Sequence, residues 1–271
     1  MKTYLTLSAI ALAAAATLSS GVASAQEAAA PVPDIAVTSN VGITSDYRFR
    51  GVSQNNQAPS FQGGVDVAFN KLGLYVGTWG SNVSQWTAGN GTLEMDLYGG
   101  YKTELAGIGL DVGAIDYQYP GSGGGLNAKA NTQEAYVGLS YGIATFKTSR
   151  TVGDGYFNST VDATTNKIFS AKGTMYYDLT LSQEIFPKLT ASVHAGYTDY
   201  KTSDSAVKNF SYDDYNVGLA YDYNSYVFGV KLYKNNLGSG TKSWLTSGGV
   251  SATNGKNLGN NGVALSLTRS F

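Results

Sequence analysis

Asp46, Arg48 and Arg50 stand at alternate positions, so on an extended chain all three charged side chains project to one side. Charges grouped this way can set the sign of a solute that passes them, as rings of charge do in a pore. They can equally form an ion-pair network with opposed carboxylates, for which Asp66, Glu94 and Asp96 are the candidates. Ser192 and His194 invite a hydrolase reading. At i,i+2 on a strand, however, their Cβ atoms are about 7 Å apart by rise alone. A Ser–His pair also needs a third orienting group. These two are expected to face water, whereas a lipase acting on bilayer lipid needs its site on the outer wall, so a lumen-lining histidine is expected in place of a catalytic one. His194 is the only histidine and no cysteine occurs, so zinc chemistry, disulfides and thiolate sites have no basis. Gly121-Ser-Gly-Gly-Gly125 is no phosphate cradle, because no helix follows it. It is expected either to fold inward as a constriction or to stay outside. No cofactor, metal or enzymatic activity is expected.

The elements that must position these residues are strands. The chain ends Val263-Ala-Leu-Ser-Leu-Thr-Arg-Ser-Phe271, with Val263, Leu265, Leu267, Arg269 and Phe271 on one face and Ala264, Ser266, Thr268 and Ser270 on the other. Strict alternation describes a strand with one apolar and one wet side. The pattern recurs along the chain, with long polar loops and short turns in alternation. Ile35 to Phe49 forms the first strand and Phe61 to Phe69 the second, followed by a turn at Asn70-Lys71-Leu72-Gly73. Ile108 leads a fifth strand whose register slips near Ile115 and Tyr117, where a bulge is expected. Lys147 interrupts the apolar face of the strand over Ile143 to Thr151.

This periodicity predicts about twelve strands. No apolar run after the first residues approaches the length of a spanning helix. An all-β, up-and-down antiparallel transmembrane β-barrel is therefore the expected fold, since closure pairs every backbone group. Residues 1–25 read as a cleaved signal peptide, with basic Lys2, an apolar Leu5–Leu18 run and the small-residue site Ala23-Ser24-Ala25. Residues 26–34 read as a flexible periplasmic lead-in, and 35–271 as the barrel. With a net charge of −1 there is no basic footprint for nucleic acid. Tyrosine (20) outnumbers phenylalanine (10), as suits rings that touch hydrocarbon and water together.

Parity then assigns the lumen. Asp46, Asp66, Glu94, Asp96, Glu104, Glu134, Asp178, Glu184, Asp214 and Asp222 face inward with Arg48, Arg50, Lys102, Arg150 and Lys231. The acidic excess implies a mild cation preference. Trp79, Trp86 and the strand-end tyrosines read as interface girdles. Tyr98, Tyr136 and Tyr176 share inward parity and could line a track for sugar rings.

Several stretches are similar to a known family. Ser39-Asn-Val-Gly-Ile-Thr-Ser-Asp-Tyr-Arg-Phe-Arg-Gly-Val-Ser-Gln54, Pro59-Ser-Phe-Gln-Gly-Gly64, Gly73-Leu-Tyr-Val-Gly-Thr-Trp-Gly-Ser-Asn-Val83 and Glu94-Met-Asp-Leu-Tyr-Gly-Gly-Tyr101 resemble the TorF-type porins of proteobacteria. That family was formerly carried as a conserved uncharacterised outer-membrane family. The match is close over the first third and looser beyond it. The resemblance implies a small outer-membrane barrel that acts as a pore, and it brings no catalytic residues. The expected function is passive diffusion of small hydrophilic solutes. The alternative is a structural or adhesive barrel with a closed lumen and ligand-binding external loops. Expected partners are outer-membrane lipid and the barrel assembly machinery, which reads the strand ending at Phe271; a homo-oligomer is left open.

Overall fold

The computed structural model describes residues 33–84, 91–122, 130–157, 159, 169–203, 210–237 and 256–271. The expected signal peptide, most of the lead-in, Trp86 and part of the Gly121–Gly125 run lie outside these. Twelve antiparallel strands close into a barrel: β1 (Ile35–Thr44), β4 (Ser60–Phe69), β5 (Leu74–Asn82), β6 (Leu93–Leu105), β7 (Ile108–Gln118), β8 (Thr132–Tyr141), β9 (Ala144–Thr151), β10 (Met175–Phe186), β11 (Leu189–Asp199), β12 (Tyr212–Tyr223), β13 (Tyr226–Leu237) and β14 (Gly262–Ser270). Each pairs with its neighbour in sequence, and β14 returns to β1, as in Ile43↔Leu267. Phe271 completes the seam by exchanging backbone hydrogen bonds with Ser39 (3.2 and 2.9 Å). A two-stranded hairpin, β2 (Arg48–Phe49) with β3 (Val52–Ser53), stands apart from the wall.

The outer wall is the apolar face that alternation predicts. Val37, Val41, Phe61, Leu97, Leu179, Val217, Leu232 and Leu265 are all exposed. A water-soluble sheet would hide such a face, whereas a membrane barrel turns it to lipid. Tyr101, Tyr141, Tyr177, Tyr197, Tyr215, Tyr223 and Tyr226 join that face towards strand ends, where an aromatic ring meets headgroups. Short turns such as Ala106-Gly107 and Asn224-Ser225 close the end that carries both termini.

Four local expectations are corrected. β1 stops at Thr44 and does not run to Phe49, because the chain there leaves the wall and enters the lumen. The register of β6 with β7 is unbroken from Met95↔Gln118 to Leu105↔Ile108, so there is no bulge at Ile115 or Tyr117. Those two side chains simply face inward, where they are buried against apolar neighbours. Lys147 also faces inward, with Nζ 3.8 Å from the Tyr136 ring centroid, while Phe146 faces out. Lys147 therefore does not interrupt the apolar face of β9. Arg150, placed in the lumen by parity, is exposed between the buried Ser149 and Thr151 and so lies on the outer wall.

Candidate functional site: a segment across the bore

Ser45 still pairs with Leu265 (2.8 Å), and from there the chain bends into the barrel and returns to the wall at Ser60. Local chemistry makes the bend. The Asp46 carboxylate accepts from Arg48 Nε (2.7 Å) and from Ser53 Oγ (2.6 Å), tying the two arms of the hairpin together. The hairpin tip, Arg50-Gly51, has φ of 48° and 75°. Two successive left-handed residues make the turn whose twist matches a tight hairpin. Glycine suits the second position, and close approach requires it as well: a Cβ on Gly51 would lie 2.7 Å from Asp214 Cβ and collide with Asn235.

The tip reaches the far wall. Arg50 forks onto Glu134 of β8 through Nη1–Oε1 (2.9 Å) and Nη2–Oε2 (2.6 Å), with side-chain exposures of 6% and 1%. Nη1 also donates to the Tyr156 hydroxyl (3.1 Å), and the guanidinium lies 4.2 Å from the Tyr176 ring centroid on β10. Two side chains hold the backbone of the tip. The Tyr212 hydroxyl donates to Arg50 O (2.9 Å), and Asn235 Nδ2 donates to Gly51 O (2.9 Å). At the base, Arg48 Nη1 donates to Asn260 O (2.5 Å), Ser53 N to Leu258 O (2.9 Å) and Gln57 Nε2 to Asn257 O (2.9 Å). A planar fork on a desolvated carboxylate is among the stronger polar contacts a protein makes.

Apolar packing completes the insertion. Tyr47 meets Trp79 edge-on (5.5 Å), and Phe49 meets Tyr117 (5.6 Å) and Phe157 (5.0 Å). On a continuing strand, Tyr47 and Phe49 would face lipid. Inside, they join a buried cluster with Tyr98, Ile115, Tyr119, Tyr156, Phe169 and Tyr200. Between the segment and Tyr156, Phe157, Tyr200 and Tyr212 a cavity of about 30 Å³ remains, room for a water or two and for no solute.

The expected site residues separate into groups. Asp46, Arg48 and Arg50 come together on the inserted segment, and the carboxylate that meets Arg50 is Glu134. Glu94 accepts from Tyr47 (3.0 Å), Asp66 accepts from Tyr98 (2.7 Å), and neither carboxylate of Glu94 and Asp96 meets an arginine. Lys102 lies in the inner half, 3.9 Å from Asp111 with Nζ over Tyr75. Tyr98, Tyr136 and Tyr176 all face inward and are buried. Their faces and hydroxyls are engaged: Lys147 covers Tyr136, which bonds Tyr75, and Arg50 covers Tyr176. Trp79, assigned to a girdle, is 3% exposed inside the lumen.

His194 sits between Asp214 (Nε2–Oδ1 3.0 Å) and Asp178 (Nδ1–Oδ2 3.4 Å), with the Tyr176 hydroxyl 3.2 Å away. Ser192 Oγ has no hydrogen-bond partner among the described residues, so the two do not form a nucleophile–base pair. Sequence reasoning missed Tyr47, Glu134, Tyr156, Tyr212 and Asn235 as holders of the segment. The available signal was the apolar pair Ile115 and Tyr117 on a face otherwise wet.

Among solved structures, the NanC porin is similar, with a TM-score of 0.51, 9% identity, and 87% of this chain aligned to 99% of that one. The KdgM porin in complex with oligogalacturonate aligns at 0.49 and 7%, covering 87% and 99%. OpdK of Pseudomonas aeruginosa aligns at 0.40 and 11%, covering 89% and 67%. At 9% identity the likeness to the NanC porin is one of fold. Curated proteins provide no match. A family profile matches residues 25–271, nearly all of the chain, and the protein therefore belongs to Gcw_chp, a family of bacterial proteins of unknown function.

Proposed function

We propose that the chain is an outer-membrane pore for small hydrophilic solutes, narrowed in its outer half by the segment between β1 and β4. One observation carries this reading: the chain leaves β1 after Thr44, and Arg50 at the hairpin tip ends against Glu134 of β8 and Tyr176 of β10, on the far side of the ring. The inner half is different. Its wall presents Thr38, Asp66, Lys102, Ser192, Lys231 and Thr268, side chains compatible with water, and no segment crosses it among the described residues. A wet vestibule behind a charged, crossed constriction is how a barrel selects small solutes by size and sign. The apolar outer wall supports an outer-membrane location with lipid as the surrounding partner. The resemblance to TorF-type porins points the same way. Phe271, paired with Ser39 and exposed at the seam, suits recognition by the assembly machinery, and the fold is compatible with a homo-oligomer.

The test is conductance across a planar bilayer, comparing wild type with a chain in which Arg48–Ser53 is replaced by a short Gly-Ser linker. Small discrete steps that grow in the shortened chain are expected. The aromatic packing around the segment favours a second reading, a barrel that stays shut and works through its external loops. Absence of steps from both proteins would select that one.

A further inference from the structure

Glu94 and Asp96 occupy successive inward positions of β6, and each is 1% exposed. One Glu94 oxygen accepts from Tyr47 (3.0 Å). The other oxygen, Oε2, has no partner among the described residues, and neither has Oδ1 or Oδ2 of Asp96. Three unpartnered carboxylate oxygens are thus buried together. The basic side chains described nearby are committed elsewhere. Arg48 binds Asp46 and the carbonyls of Gly51 and Asn260, while the terminal nitrogens of Arg50 bind Glu134 and Tyr156. Lys102 shares their face of β6 but lies about 20 Å along the strand, by rise per residue.

Leaving two buried carboxylates without a counter-charge costs several kcal/mol per ion. We propose that Glu94 and Asp96 form a binding site for a hard divalent cation of the calcium class, between β6 and the inserted segment. Adjacent inward positions hold the two Cβ atoms about 7 Å apart, a span from which two carboxylates can converge on one ion. Calcium takes oxygen ligands only, from mono- or bidentate carboxylates and neutral oxygens. Ser81 stands directly across from Glu94 on β5 and is buried, which places a neutral oxygen beside the pair. Because Tyr47 hangs on Glu94, an ion here fastens the segment to the wall. The inference does not depend on solute passage, and its test reads binding alone.

Terbium substitutes for calcium and emits when a neighbouring aromatic ring is excited. Trp79 pairs with Asp96 across β5, and Tyr117 pairs with it across β7. Detergent-purified full-length protein should show saturable terbium emission that calcium displaces. Asp96→Asn and the double variant Glu94→Gln/Asp96→Asn should lose it, with heat-modifiable gel migration confirming that each barrel is folded. A chelator should lower the wild-type Tm and leave the double variant unmoved. Emission no greater in folded wild type than in the double variant would overturn the proposal and leave the two acids protonated. Emission that survives both substitutions would overturn it too, by placing the ion elsewhere.

Discussion

Replacing Arg50 by Ala tests whether the inserted segment is held by its tip. The substitution removes a two-pronged ion pair whose members are 6% and 1% exposed, and it leaves Glu134 without an ion-pair partner among the described residues. Deleting one partner of a buried pair costs about 3–5 kcal/mol when the survivor must stay dry. Here the survivor has an escape, because undocking of the segment admits water to Glu134. The cost is therefore taken from the docked state and not from the barrel, whose ladders are untouched. At about 1.4 kcal/mol per tenfold, the docked-to-undocked ratio should fall roughly a hundred- to several-thousand-fold. The assay is single-channel open probability, with protease cleavage within residues 45–59 as a structural readout in parallel. Adding Glu134→Gln to the Arg50→Ala variant removes the stranded charge and should recover part of the docking. Unchanged open probability and cleavage in Arg50→Ala would refute the reasoning. So would a double variant no better docked than the single one, since the penalty would then not come from Glu134.

Three further outcomes follow from the same geometry. Gly51→Val places a branched side chain on a left-handed backbone, a penalty of at least about 1–2 kcal/mol, and against Asp214 and Asn235; it should open the segment in the same assays. In a chain whose only tryptophan is Trp79, with Trp86→Phe and Trp244→Phe, brominated lipid should leave the fluorescence unquenched, because that ring lies inside the wall; strong quenching would restore it to a girdle. Burial pushes the Tyr156 hydroxyl above the usual phenol value of 10.0. The docked state then binds more protons than the undocked one once pH passes about 10, so docking is complete below that pH and weakens as it rises. Absorbance at 295 nm should show fewer late-titrating phenols in Arg50→Ala than in wild type, and a Tyr156→Phe chain should not show that difference in full.

The wall was legible in the sequence because alternation is a local property. From Val263 to Phe271 every residue's side followed from its parity, and the twelve strands emerged from that rule alone. The inserted segment was not legible for the opposite reason. Tyr47 and Phe49 continue the odd apolar series of β1, and only contacts with Trp79, Tyr117 and Phe157 on distant strands and loops make the interior their better environment. Parity also cannot tell a wet interior from one filled by a folded-in loop, so Ile115 and Tyr117 resembled a register fault. The charged trio was picked out correctly as a group, while its partner was not. Glu134 lies 84 residues away, beyond any spacing rule.

The base of the segment hydrogen-bonds to residues that arrive last. Arg48 reaches Asn260 across 212 positions and Gln57 reaches Asn257 across 200, and Gly262 leaves the room that the Arg48 guanidinium occupies. A nascent chain cannot make these bonds until its twelfth strand has met its first, since contacts so remote in sequence form only after the intervening chain is placed. The base of the segment is thus fastened late, by the same event that seals the wall. An unfinished ring leaves that base loose, and only a sealed one ties it down.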